Sequence, residues 1–122
     1  MRVINWFEIP VTDMPRARAF YERVLEVSLR EESCGPDMEM CVFPYADPAT
    51  GGALCRNPNL VPAPGGILIY LDAGDDLSAP LSRVEAAGGA VVMPKTLLSP
   101  EIGAIAIFRD SEGNHIGLHS PR

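Results

Sequence analysis

At 122 residues the chain is about the size of one domain and long enough to bury a core without disulfide staples. Its 47% hydrophobic and 21% charged composition is ordinary for a soluble globular protein, and no run of about 18 apolar residues offers a membrane span. A net charge of −6, with Lys95 the only lysine, leaves no basic stripe for a phosphate backbone and disfavours nucleic acid as a partner.

The opening phrase MRVINWFEIPVTD carries a Glu and a Pro where a signal peptide needs an unbroken apolar segment, so a cytoplasmic location is expected. Residues 4–11 are apolar with β-branched members and read as a strand. Its alternation puts Phe7, Ile9 and Val11 on one face and Trp6, Glu8 and Pro10 on the other. The all-apolar set should meet a helix, leaving Trp6 and Glu8 to face a cavity. Thr12 or Asp13 is the helix N-cap, with Pro15 in the first turn where its missing N–H is harmless. Met14, Ala17, Phe20 or Tyr21, Val24 and Leu25 recur at helical spacing, and the helix should stop near Glu26. Extended pieces follow at 27–31, 39–44 and 52–56, separated by turn residues.

RNPNLVPAPGG, residues 56–66, reads as a linker. Beyond it the same grammar returns. An apolar strand at 67–71 leads to an Asp-rich cap, and then to a helix with Leu77, Leu81, Val84 and Ala87 on one stripe. Gly88-Gly89 supplies a left-handed stop, and Pro80 falls early enough in the helix to be tolerated. Strands are expected at 90–93, 104–109 and 116–119. With Asp13 and Asp76 taken as equivalent caps, the two copies lie about half a chain apart, which marks an internal duplication.

Cys34, Cys41 and Cys55 share no C-x-x-C spacing and read as free thiols packed as small hydrophobes; a zinc site built from them has the wrong spacing. No helix N-terminus or histidine beside Cys41 or Cys55 argues for a nucleophilic thiol. The acidic run AGDD lacks the further spaced ligands of a calcium loop and reads as a helix cap.

Three phrases, IPVTDMPRARAFYERVL, LDAGDDLSAPLSRVEAAGG and the terminal FRDSEGNHIGLHSP, resemble the vicinal oxygen chelate superfamily of glyoxalases, bleomycin resistance proteins and extradiol dioxygenases. The resemblance covers nearly the whole chain. It implies an α+β fold of two βαβββ modules, residues 1–60 and 66–122 of a single 1–122 domain, forming an incomplete mixed β-barrel. It also implies a homodimer. Metal-dependent members place ligands on the first and last strands of each module. Here those positions fall on Trp6, on Leu68 or Ile69, near Ala53, Leu54 and Cys55, and on Gly117, which offer at best one thiol. No resident metal or other cofactor is therefore expected. A displaced divalent site could be assembled only from Glu8, His115 and His119, although His115 also suits a turn and His119 a chain end.

The expected ligand pocket comprises Trp6, Glu8, Tyr70, His115 and His119, with Tyr70 the approximate counterpart of Glu8. Trp6 offers a flat apolar wall. Glu8 is the candidate catalytic acid or base; paired with an arginine, or wet at the sheet rim, it would be merely structural. Two readings follow. The first is a small-molecule binding protein like the bleomycin resistance proteins, and the alternative is a glyoxalase-like lyase or isomerase using Glu8 with a displaced metal. A partner-binding domain using an exposed sheet edge is a third class. Fold alone does not choose among them.

Overall fold

Asp13 is the hinge of the first structural unit. Its backbone is extended (φ −126°, ψ 99°) and its carboxylate accepts from the N–H of Arg16 at 3.0 Å, which caps helix α1 (Met14–Leu25). Pro15 occupies the first turn, as anticipated, and Glu26 ends the helix in the left-handed region at φ 54°. Strand β1 (Trp6–Pro10) precedes the helix; β2 (Arg30–Ser33), β3 (Glu39–Val42) and β4 (Gly51–Arg56) follow it. The computed structural model describes residues 3–33 and 35–122, so the thiol of Cys34 lies outside the described residues.

The second unit comprises β5 (Tyr70–Asp72), α2 (Ser78–Ser82), α3 (Val84–Ala87), β6 (Ala90–Ser99), β7 (Gly103–Arg109) and β8 (His115–Ser120). Strands pair in the order β1-β4-β3-β2 in one sheet and β5-β8-β7-β6 in the other. In each sheet the first strand pairs parallel to the last and the remaining pairings are antiparallel. The result is an α+β fold of two mixed sheets with no closed barrel. The repeat read from the sequence reaches individual hydrogen bonds. Val11 N donates to Cys55 O at 2.9 Å, and Ala73 N donates to His119 O at the same distance. This correspondence aligns Glu8 with Tyr70, and Ala53 with Gly117.

Several boundaries depart from expectation for identifiable reasons. The second helix is not continuous. Its Asp76 accepts from Ser78 N (2.9 Å) and from Lys95 Nζ (2.8 Å) but lies one residue before the N-cap, which is Leu77. The helix then breaks at Arg83 (φ −93°, ψ −9°), whose Nε is drawn to the carbonyl of Val24 at 2.9 Å. Strand β6 continues well past Met93, because Pro94 falls on an edge strand where a missing donor breaks no ladder. Strand β2 starts later than expected. The chain leaving α1 is first held back, with Leu29 N donating to the Glu22 carboxylate at 2.8 Å. That bond, backed by Arg18, draws the Glu22 carboxyl below its ordinary range against the upward pull of burial. Residues 67–69 stay out of β5, and Ile67 is exposed.

One apolar core joins both units. Ile9, Val11 and Leu54 from the first sheet and Ala106, Phe108 and Leu118 from the second enclose Phe20, Tyr21 and Val24 of α1. Phe20 packs on Phe108 with ring centroids 5.8 Å apart, and Arg23 Nη1 donates to Ala86 O at 3.0 Å. The helices are thus held between the inner faces of the two sheets, and no helix among the described residues covers the outer faces. No helix among the described residues is long and apolar enough to cross a membrane.

Candidate functional site

Strand alternation sends Trp6 and Glu8 outward while Ile9 and Val11 are buried, as the sequence pattern predicts. Beside them on the outer face of the first sheet, Val42, Ala53, Cys55 and Met40 form a small apolar floor. Cys41 faces the core instead; it and Cys55 are both buried and in no disulfide, and burial pushes the Cys41 thiol upward. Trp6 stands 40% exposed, its ring edge-on to Tyr45 at 6.0 Å, and its Nε1 donates to the Glu8 carboxylate at 3.2 Å. Among the described residues Glu8 is therefore held by an indole rather than by an arginine, which leaves acceptor capacity at an open surface.

On the second sheet the same alternation places Tyr70, His115 and His119 on the outer face, in register with the buried Leu71, Ile116 and Leu118 on the inner one. Tyr70 is 44% exposed and its ring covers Gly117: a Cβ there would stand 2.2 Å from Tyr70 Cδ1. On the first sheet the Tyr45 ring, beside Trp6, lies 2.7 Å from where a Gly51 Cβ would be. His119 is committed elsewhere, its Nε2 lying 2.5 Å from the carbonyl of Ile102 in the turn after β6.

The five residues expected in one pocket are thus split within a single chain. Trp6 and Glu8 belong to one outer face; Tyr70, His115 and His119 belong to the other. Glu8 and His115 do line a common depression of about 340 Å³ beside the junction of β1 and β8. His119 does not join them, and among the described residues no three His, Cys, Asp or Glu side chains form a group able to hold a metal ion. Within one chain, Glu8, His115 and His119 are not brought together.

The depression is one of a pair. Glu8, Ile9 and Pro10 with Ile69, Asn114 and Ile116 line it, and the linker residues Val61, Ala63 and Gly65, with Ile67 just beyond, complete its wall. At the other end of the seam lies a cavity of about 360 Å³ between Phe7 and Gly52 of the first sheet and Leu71 and Asp72 of the second.

A polar seam that sequence reasoning did not single out joins the two units. Glu112, fully buried at its side chain, accepts at Oε1 from Thr12 N, Thr12 Oγ1 and Asp13 N, each at 2.9 Å, and from Arg16 Nη2 at 3.0 Å. Its Oε2 accepts from Arg16 Nε at 2.7 Å and Ser111 Oγ at 3.0 Å. Burial alone would raise this carboxyl; the Arg16 side chain and the N–H groups of Asp13 and Thr12 outweigh it and hold the group at about 2. Below it, Asp110 accepts from Tyr21 Oη at 2.6 Å and from Asn114 Nδ2 at 3.0 Å, and Asn114 Nδ2 also reaches Pro10 O at 2.8 Å. Burial, then the Asp110 charge, pushes the Tyr21 phenol well above its ordinary value. The phrase DSEGN holds both acids, but their partners lie about 100 residues away, and no local pattern announces them.

A sequence model described as Glyoxalase/Bleomycin resistance protein/Dioxygenase superfamily matches residues 3–118. No curated protein matches the chain. Among solved structures, the antibiotic binding protein TnmS3 from Streptomyces sp. CB03234 is 29% identical with a TM-score of 0.68, over 100% of this chain and 98% of that one. The hypothetical protein SA1046 from S. aureus is 24% identical with a TM-score of 0.71, covering 98% of this chain and 95% of the other. Glyoxalase I from Zea mays shares the fold at 23% identity and a TM-score of 0.69; 95% of this chain is covered but only 45% of the maize protein.

Proposed function

The chain belongs to the Glyoxalase/Bleomycin resistance protein/Dioxygenase superfamily, and on that footing we propose that it binds a small molecule without transforming it, in a cup completed by a second copy of itself. The observation that carries this reading is the aromatic ring over glycine. Tyr70 fills the space above Gly117, one of the positions where the resemblance puts a metal ligand, and Trp6 occupies another. Leu68 or Ile69, and the segment of Ala53, Leu54 and Cys55, which complete the set, offer at best one thiol. The residues present do not fit a metal of the usual kind, whereas aromatic walls beside a carboxylate suit an organic ligand. TnmS3, which is described as antibiotic binding, supports the class of ligand without naming it.

The second copy answers the division of the site. Within one chain only Glu8 and His115 of the five residues share a depression. A two-fold partner can lay its second sheet opposite the first sheet of its mate, and so assemble two equal cups. Each cup then takes Trp6 and Glu8 from one protomer and Tyr70, His115 and His119 from its partner. The exposed Trp6, Tyr70, Leu97 and Leu98 are apolar surface that such pairing removes from water.

The test is a metal titration run beside ligand screening. Purified protein incubated with nickel, zinc, manganese or iron and then desalted should retain no stoichiometric ion, while planar aromatic compounds should bind saturably and return unchanged. Stoichiometric metal, or turnover, overturns the reading.

A second reading rests on Glu8 and His115 lining one depression, which places a carboxylate and an imidazole in common reach of a bound molecule. Under it the protein is a lyase or isomerase, and Glu8→Gln abolishes turnover of methylglyoxal–glutathione adducts or catechols.

A further inference from the structure

The cavity between Phe7 and Leu71 is lined mainly from the inner sides of β1 and β5, with Tyr45 and Asp72 also taking part, and its lining differs in kind from that of its counterpart across the seam. The counterpart is walled partly by the linker; here no linker residue takes part, and the space stays open. Phe7 and Phe43 form one wall, with ring centroids 5.8 Å apart and planes tilted by 36°. Leu25 and Leu71 continue the apolar lining, and Arg83 and Asp72 supply one charge of each sign.

Those two charges are not spent on each other. Arg83 donates from Nε to Val24 O at 2.9 Å, and its Nη1 stands 3.7 Å from the carboxylate of Glu26, a group largely in solvent. Its Nη2 is uncommitted among the described residues. Asp72 accepts from Gly74 N at 2.9 Å through Oδ1, and its second oxygen is free among the described residues. An apolar cavity bordered by a cation and an anion with spare hydrogen-bonding capacity is complementary to a molecule that brings both signs on an aromatic body. The volume, about 360 Å³, is within the range of small-molecule sites.

We propose that this inter-sheet cavity is a second binding site, for a small aromatic zwitterion whose carboxylate meets Arg83 and whose ammonium meets Asp72, with its ring against Phe7 and Phe43. An aromatic amino acid is the simplest molecule of the class. Its apolar walls are distinct from the outer-face cup: Phe7 lies on the opposite side of β1 from Trp6 and Glu8, and Leu71 on the opposite side of β5 from Tyr70, while Asp72 reaches the cavity from the side of β5 that Tyr70 shares.

Calorimetric and amide-shift titrations of the full chain test it. The probes are L-phenylalanine and 4-(aminomethyl)benzoate, whose charges lie respectively close together and at opposite ends. The controls are 3-phenylpropanoate and 2-phenylethylamine, each with a single charge. At least one zwitterion should bind saturably at one per chain, at least about tenfold tighter than either control. It should shift the amides of Phe7, Phe43 and Leu71 and leave those of Glu8 and Tyr70 in place. Asp72→Asn should weaken that binding about tenfold without lowering the melting temperature, a safer variant than Arg83→Gln because Arg83 also holds the end of α1. No saturation by either zwitterion up to about 10 mM overturns the proposal, as do controls that bind equally well or shifts that map to the outer faces. A protein that fails here and still binds aromatics at Trp6 loses this site and keeps its cup.

Discussion

The guanidinium of Arg16 grips the carboxylate of Glu112 at 2.7 Å across the two halves of the molecule, in the first turn of α1. The buried acid also accepts the backbone donors that the start of the helix leaves unpaired. The folded protein holds Glu112 at about 2, below the ordinary value of 4.5, so its contribution is fully present above about pH 4.5 and is lost as pH falls toward 2. Glu112→Gln should destabilise the protein by on the order of 2 kcal/mol at neutral pH. It should also flatten the dependence of the unfolding midpoint on pH between 4.5 and 2, read by denaturant titration across that range.

Tyr21 joins α1 to the end of β7 through its 2.6 Å hydrogen bond to Asp110. Removing the hydroxyl leaves a buried carboxyl one donor short, which costs about 1–3 kcal/mol. Tyr21→Phe should therefore lower the melting temperature by several degrees while leaving the ring packing with Phe20 and Phe108 in place. Circular dichroism in the near and far ultraviolet distinguishes a weaker fold from a changed one.

Trp6 is the only tryptophan and stands half-open on the proposed ligand face. A bound aromatic molecule should quench or shift its emission, giving a direct titration. Glu8→Gln keeps an acceptor for the indole N–H and removes the charge. Under the binding reading, affinity should fall only several-fold, equivalent to about 1 kcal/mol. An affinity equal to wild type removes Glu8 from the site.

Leu97 and Leu98 stand 65% and 49% exposed on the long edge strand β6. Light scattering should report a dimer for the wild type. The double variant Leu97→Lys, Leu98→Lys should raise the dissociation constant at least about tenfold, with the far-ultraviolet spectrum unchanged. A wild-type monomer at high concentration would remove the shared cup.

Much of the fold was legible because it is written in local periodicities. Alternation placed Phe7, Ile9 and Val11 inward, spacing placed Phe20 and Val24 on the buried stripe of α1, and the second copy of the same grammar pointed to two similar sheets. The break at Arg83 was not legible, since its cause is the Val24 carbonyl on another helix. The site divided along the same line. The faces of Trp6, Glu8 and Tyr70 followed from parity; whether those faces meet depends on which way the sheets turn around their helices, and no short-range pattern encodes that choice. Glu112 and Asp110 stood in a recognisable turn, but their partners in the other half supplied their meaning.

The ring of Tyr70 over Gly117 also constrains what this lineage can become. A carboxylate acquired at position 117 would meet an aromatic wall 2.2 Å from its first carbon, so the substitution is tolerable only after the tyrosine has gone. A donor side chain at position 117 and the aromatic ring of position 70 are therefore alternatives for the same space.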